Sequence, residues 1–156
     1  MTRPIKNKVD YFPHVTQTGK IIAILEARWG NDGYAFWFKI LELLGSSESF
    51  SYDCNKPADW EYLLSKTRVT EDMAKAILKK LAEIDAIDAG LWEGGIIWSD
   101  NFVGNLMPVF NKRKSTPPQK PEFPAQKLEQ AEVSVPASDG NPSSAEFPVT
   151  ETDKGK

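Results

Sequence analysis

The sequence predicts a mostly helical α+β fold, a winged helix-turn-helix with a small β-hairpin, followed by a disordered tail. Three observations predict it. A short helical pattern beginning at Pro57 is followed by a longer one over residues 70–84. Apolar runs on either side of a Gly-Gly turn then indicate a hairpin. Beyond residue 116 the chain is rich in Pro, Ser, Glu and Lys and poor in large apolar residues, which is typical of disorder.

The longer helix of the pair is predicted in most detail. Thr70 precedes Glu71 and Asp72, so a hydroxyl N-cap stands directly before two acids that favour the positive end of the helix dipole. Apolar residues then recur at spacings of three and four, which places them on one buried stripe. They are Ala74, Ile77, Leu78, Leu81 and Ile84.

The helix before it and the hairpin after it complete the winged-helix order. Pro57 suits a first helical turn, and Trp60, Leu63 and Leu64 give a short apolar stripe. Residues 86–91 and 96–99 are predicted to be the two strands of the wing, joined by a tight turn at Gly94 and Gly95.

The N-terminal half predicts two further helices, over residues 20–28 and 34–44, separated by a break between Gly30 and Gly33. The second is apolar on most faces, which is typical of a helix at the centre of a core. Residues 101–111 have helical spacing that Pro108 weakens. We therefore predict a winged-helix domain over residues 1–116 and a low-complexity acidic tail over 117–156.

Charge and composition restrict the function. Residues 1–116 hold 15 basic and 15 acidic side chains, so the tail carries the whole net charge of −3. A neutral domain lacks the basic excess usual in nucleic-acid binding, although a local patch remains compatible with it. With one Cys and one His, the chain offers no disulfide or zinc cluster. No catalytic constellation, metal site, cofactor motif or membrane segment is recognisable, so we expect a cytoplasmic protein that is not an enzyme.

Four motifs stand out along the first two thirds of the chain: Asp10-Tyr11-Phe12-Pro13-His14, residues 25–35, Leu41-Glu42-Leu43-Leu44 and Gly95-Ile96-Ile97-Trp98-Ser99. Together they resemble the motifs of the Lin1244/Lin1753-like N-terminal domain family, a domain of unknown function in phage and mobile-element proteins. The resemblance covers roughly residues 8–114. It implies similarity to the N-terminal winged helices of DnaD-like primosome proteins and phage replisome organisers.

The candidate site consists of basic residues and of the wing. On the turn and the outer face of the longer helix, lysines and an arginine can contact phosphates or simply form a solvated face. A basic run at 112–114 can clamp a further phosphate or close the domain. The two wing tryptophans can stack on a base, although packing on the core is favoured. The candidates are Lys66, Arg68, Lys75, Lys79, Lys80, Lys112, Arg113 and Lys114 for DNA, and Trp92, Gly94, Gly95 and Trp98 for the wing.

The resemblance leads to the expected function, and the helix-turn-helix pattern supports it. We expect a DNA-binding module of phage or mobile-element replication, acting in initiation or replisome organisation, with replication proteins such as a helicase or its loader as further partners. The alternative is a module that dimerises or docks a replication protein without binding DNA. The acids at the start of the 70–84 helix support this alternative. A transcriptional regulator ranks third, because the N-terminal half of the 70–84 helix has no Arg, Asn or Gln to read bases.

Overall fold

The computed structural model describes residues 7–17 and 19–122. This part of the chain is mostly helical, with one small antiparallel sheet, which confirms the predicted fold class. The predicted disorder of the tail beyond residue 122 lies outside the described residues. No helix in the described ranges is both long and apolar enough to cross a membrane.

The first helix, α1 (Lys20–Ser46), contains a sharp kink. Gly30 has φ 56° and ψ −139°, a conformation that favours glycine, and it separates two helical halves. The predicted break is therefore confirmed, although it takes one residue rather than four. Gly33 lies so close to the first half that a Cβ built on it would be 2.6 Å from the carbonyl oxygen of Leu25.

The second half of α1 is the centre of the core, as its apolar sequence predicts. Phe36, Ile40 and Leu44 are completely buried. A helix with this much buried surface on several faces needs neighbours on more than one side. Among its neighbours, α1 as a whole contacts both α2 (Pro57–Thr67) and α3 (Glu71–Glu83).

The helix-turn-helix formed by α2 and α3 confirms the predicted pair. Pro57 occupies the first turn of α2. The Thr70 hydroxyl accepts a hydrogen bond from the backbone N–H of Met73 at 3.3 Å, as expected of an N-cap. Four of the five predicted stripe residues of α3 are buried, and the fifth, Ile84, is half-buried at its C-terminal end.

The predicted hairpin is wrong in its first strand. Residues 86–91 form no strand, and instead a short helix, α4 (Ala89–Glu93), begins in this region. Asp88 caps it, since its Oδ1 accepts a hydrogen bond from the backbone N–H of Leu91 at 2.8 Å. The cap stabilises a helical turn where a loose apolar alternation predicted a strand.

The small sheet pairs segments that are distant in sequence. Strand β2 (Ile96–Ile97) lies antiparallel to β1 (Tyr52–Asp53), with Tyr52 opposite Ile97. The second predicted strand, 96–99, is thus confirmed over two residues, but its partner precedes α2. Between the two predicted strands, one backbone hydrogen bond remains, from the Asp88 N–H to the Trp98 carbonyl at 2.8 Å.

Two short helices close the domain. They are α5 (Asp100–Asn105) and α6 (Met107–Arg113), and Pro108 lies in the first turn of α6. The proline therefore begins a second helix instead of weakening one long helix. Phe50 joins both to the core, because its ring packs edge-on against Phe102 and Phe110 at 5.7 Å from each.

Candidate nucleic-acid interface

The turn between α2 and α3 exposes one basic side chain. Helix α2 ends at Thr67, and the residue that caps it, Arg68, adopts the left-handed conformation with φ 60°. The preceding residue, Thr67, is buried, and its hydroxyl donates to the Leu63 carbonyl at 2.8 Å. Because Thr67 and the half-buried Val69 point inward, the turn presents the exposed Arg68 side chain to solvent.

The outer face of α3 alternates acids and bases. Lys75 forms an ion pair with Glu71 at 2.5 Å, one helical turn earlier, and this hydrogen bond holds the pKa of Glu71 below its usual range. Lys80 is half-buried and pairs with Glu83. These pairs reduce the net charge that the two lysines offer to a phosphate.

Lys66 ties the helix-turn-helix to α1. Its ammonium lies 2.8 Å from Glu42, with about a quarter of the side chain exposed. This contact crosses from α2 to the second half of α1, so Lys66 takes part in holding the two helices together. A phosphate contact by Lys66 would compete with this ion pair.

Arg68 and Lys79 differ from the other predicted residues. Both are exposed, and neither side chain forms a hydrogen bond or ion pair within residues 7–17 and 19–122. Lys79 lies one turn after Lys75 on the same helix and acts on Glu83 only through its field, which helps to lower the pKa of that carboxyl.

The structure adds Arg28, which sequence reasoning missed. The positive field of Arg28 reaches Glu83 at the C-terminal end of α3, and its guanidinium lies 6.0 Å from the centre of the Trp29 ring. Arg28, Lys79 and Lys80 therefore all act on one acid, Glu83, and all three help to lower its pKa. The sequence did contain a signal for Arg28: it stands with Trp29 directly before the predicted helix break. A kink at that point can bring both side chains toward a neighbouring helix.

The basic run at the end of α6 meets the N-terminal segment. Lys112, Arg113 and Lys114 are all exposed, and Arg113 Nη1 donates to the Lys8 carbonyl at 3.1 Å. Lys8 lies 3.8 Å from Glu48. The contact joins the end of α6 to the backbone of the N-terminal segment, and α6 itself is anchored through Phe110 on Phe50.

The two tryptophans predicted for the wing pack against the core instead of projecting from it. Trp98 is 2% exposed, and its Nε1 donates to Asp100 at 2.9 Å. Trp92 is half-buried in α4 and packs against the same core. Both tryptophans therefore contact the core, although the hairpin of residues 86–91 and 96–99 that they were expected to hold there is not formed. Gly94 and Gly95 form the turn from α4 into β2, where Gly95 has φ 77°.

Cys54 and His14, the two other side chains with reactive groups, are both engaged in packing. Burial raises the pKa of the Cys54 thiol to about 12, which keeps it protonated and poorly nucleophilic. The His14 ring stacks on Phe38 at 4.3 Å and lies within hydrogen-bonding distance of the Tyr34 hydroxyl. Over the described ranges, no three His, Cys, Asp or Glu side chains cluster as a metal site would require.

Comparison with known proteins identifies the family of this chain. No curated protein and no solved structure shows significant similarity to it. The family model described as Lin1244/Lin1753-like, N-terminal, matches residues 11–102. That match spans α1 to α5 and more than half of the 156 residues, so the chain belongs to the Lin1244/Lin1753-like N-terminal family.

Proposed function

We propose that this protein is a DNA-binding module of phage or mobile-element replication, acting in initiation or replisome organisation. The observation that carries the proposal is the exposed pair Arg68 and Lys79 on the helix-turn-helix. Neither side chain has an acidic partner in the described part of the chain, so each is available to a phosphate without breaking an existing ion pair.

The proposed contacts are to the DNA backbone. Acids occupy the N-terminal turn of α3, where a recognition helix usually reads bases, and they would repel the phosphates that flank the groove. The cations lie instead at the preceding turn and in the C-terminal half of α3, with Arg28 beside them. This distribution supports binding that depends little on base sequence. The exposed basic run of Lys112, Arg113 and Lys114 at the end of α6 offers a second phosphate contact.

Fluorescence anisotropy of labelled single- and double-stranded DNA with the full chain tests the proposal. If Z phosphates are neutralised, the logarithm of the affinity falls with the logarithm of salt with a slope of about −0.9Z for duplex DNA and about −0.7Z for single strands. The Arg68→Ala and Lys79→Ala variants should each reduce that slope by about 1.

Lys75→Ala is the matched control. Lys75 lies one turn from Lys79 on the same exposed face but is paired with Glu71, so its loss should change the slope less. Absence of binding at low salt, or binding that does not change with salt, would reject the proposal. Equal effects of the Lys75 and Lys79 substitutions would reject the assignment of the contacts.

The second candidate is a module that dimerises or docks a replication protein, such as a helicase or its loader, without binding DNA. The observation that favours it is the pairing of Lys66, Lys75 and Lys80 with glutamates, which leaves the helix-turn-helix face close to neutral. Light scattering coupled to size exclusion separates the two candidates. A stable homodimer without affinity for DNA would favour the second, and a monomer that binds DNA would favour the first.

A further inference from the structure

Two exposed tyrosines line one cleft of about 540 Å³, which lies between the N-terminal segment, the second half of α1 and α2. Tyr11 is 75% exposed and Tyr62 is 57% exposed, and within residues 7–17 and 19–122 no other aromatic side chain is exposed. A single apolar side chain on a surface is ordinary, whereas exposed apolar side chains gathered in one place indicate a contact surface. The two rings belong to different walls of the cleft, one to the N-terminal segment and one to α2.

The backbone on either side of Tyr11 is held in place. The Val9 N–H donates to the Gly45 carbonyl at 3.0 Å, and the Val9 side chain is buried. On the other side, the Phe12 ring packs edge-on against Phe102 of α5 at 5.6 Å. Tyr11 is therefore an exposed ring between two anchored residues. A partner that uses this ring loses little affinity to ordering of the backbone.

Cations follow Tyr62 along α2. Lys66 lies one helical turn after Tyr62 and also lines the cleft. Arg68 comes six residues after Tyr62, about 9 Å along the helix axis. Its side chain is exposed and has no acidic partner in the described ranges. A strand that placed a base on Tyr62 would thus have a cation near its backbone.

Further cations lie beside the segment that carries Tyr11. Lys8 precedes Tyr11 by three residues, and three extended residues span at most about 10 Å. The backbone carbonyl of Lys8 accepts a hydrogen bond from Arg113 at 3.1 Å, so the exposed basic run at the end of α6 meets the chain close to Tyr11. The cleft is therefore bordered by cations at both of its tyrosine walls.

The acids of the cleft decide which part of a nucleic acid can enter it. Asp10 and Glu42 both line the cleft, and Glu42 accepts from Lys66 at 2.8 Å. Carboxylates repel phosphates, so the nucleic-acid backbone would stay outside, along the bordering cations. Nucleobases are uncharged, and every base has a flat face that can stack on an aromatic side chain. In a duplex these faces are covered by the neighbouring base pairs, whereas a single strand can turn them outward.

We propose that this cleft binds single-stranded DNA by stacking one or two bases on Tyr11 and Tyr62, while the phosphates contact Arg68 and the basic run at the end of α6. The proposal rests on the DNA binding proposed above, and it adds the strand that is bound and the bases as contacted groups. Because stacking does not depend on base identity, it also agrees with the acids at the start of α3, which disfavour reading of bases in a groove.

Fluorescence anisotropy with the full chain tests the stacking. The probes are a labelled oligothymidine of about 20 nucleotides, longer than one binding site, and its duplex with oligodeoxyadenosine. Tyr11→Ala and Tyr62→Ala should each lower the affinity for the single strand by at least about fivefold and leave the affinity for the duplex unchanged. Tyr11→Phe and Tyr62→Phe keep an aromatic face and should keep most of the affinity. Thermal unfolding of each variant checks that the fold is intact.

Two controls separate stacking from charge. Val15 is 65% exposed on the same N-terminal segment but lines a different groove, so Val15→Ala should change neither affinity. A strand of the same length with abasic residues in place of the thymidines keeps every phosphate but has no base. It should bind the parent protein no more tightly than the thymidine strand binds the double variant Tyr11→Ala with Tyr62→Ala.

The dependence on salt distinguishes failure of this proposal from failure of the proposed function. Stacking releases no counterions, so the tyrosine variants should lower the affinity without changing the salt slope, whereas Arg68→Ala changes the slope. Salt-dependent binding that is equal in the parent and in the tyrosine variants would overturn stacking and leave DNA binding standing. Absence of binding to either probe would reject both proposals.

Two other results would also overturn the assignment of the cleft. An equal loss of affinity for the single strand and the duplex would show that the tyrosines do not select unpaired bases. If the tyrosine variants instead lose self-association in light scattering and keep their affinity for DNA, the cleft belongs to a second copy of the chain.

Discussion

The close approach at the kink of α1 makes Gly33→Ala a stringent test of the fold. A Cβ at residue 33 would lie 2.6 Å from the Leu25 carbonyl oxygen and 3.1 Å from the Trp29 Cβ. The nearest of these atoms is backbone, so it cannot be relieved by a side-chain rotation. The two halves of α1 would have to move apart, which would disturb the packing of Leu25, a completely buried residue.

The size of the effect follows from two opposing terms. Forcing an extra methyl group into a well-packed site costs about 1–3 kcal/mol. Replacing glycine by alanine in a helix contributes about 0.5–1 kcal/mol in the other direction. The net loss in the free energy of unfolding is therefore about 1–2 kcal/mol. For a domain of this size we expect a decrease in melting temperature of about 4–8 °C.

Gly104→Ala is the matched control for this substitution. Gly104 lies within α5, and a Cβ built on it meets nothing within 4 Å, so only the helix-propensity term remains. Thermal unfolding followed by circular dichroism should show a lower melting temperature for Gly33→Ala and an unchanged or higher one for Gly104→Ala. An unchanged or raised melting temperature in Gly33→Ala would refute the close approach. A parallel decrease in both variants would refute the reasoning that separates steric from propensity effects.

Three further predictions concern single residues. Burial raises the pKa of the Cys54 thiol to about 12, so thiol reagents should label the native protein slowly at neutral pH and the denatured protein quickly; fast native labelling would contradict the burial. The hydrogen bond from Lys120 holds the pKa of Asp88 below its usual range, so this stabilisation is complete above about pH 4 and is lost as the pH falls through the lowered pKa. The melting temperature of Asp88→Asn should therefore fall less on acidification than that of the parent, and parallel acid profiles would exclude this contribution. Removing the N-cap of α3 in Thr70→Ala should cost about 1 kcal/mol in a denaturant titration, whereas Thr70→Ser, which keeps the oxygen that accepts from Met73, should cost much less.

The long elements could be predicted from local sequence because their signals are local. The stripe of α3 and its cap lie within one continuous segment, and so do the glycines that break α1. The sheet could not be predicted in this way. Each strand has only two residues, and β1 pairs with a segment that follows three intervening helices. Such a pairing depends on how α2 and α3 pack on α1, which no local pattern records.

The residue types of the candidate site could be predicted from the sequence. Which of its lysines are already paired with an acid could be predicted only in part. Sequence spacing placed Lys66, Lys75 and Lys80 outside the apolar stripes. It did not reveal that Glu42, on another helix, would pair with Lys66, because that contact depends on the packing of α2 against α1. The Lys75–Glu71 pair, by contrast, follows from helical spacing and could have been anticipated. Arg28 belongs to the site because its positive field reaches Glu83 of α3, a relation between two helices that no local pattern records.

The single-residue kink also determines where this chain can change in length. An α-helix turns by about 100° per residue, so one residue inserted after Gly33 would rotate Phe36, Ile40 and Leu44 together away from the core. The same insertion among residues 47–49, which are not buried, would not rotate any of these core side chains. We therefore expect homologous chains to keep a constant number of residues from the kink to the end of α1, and to gain or lose residues in the connections.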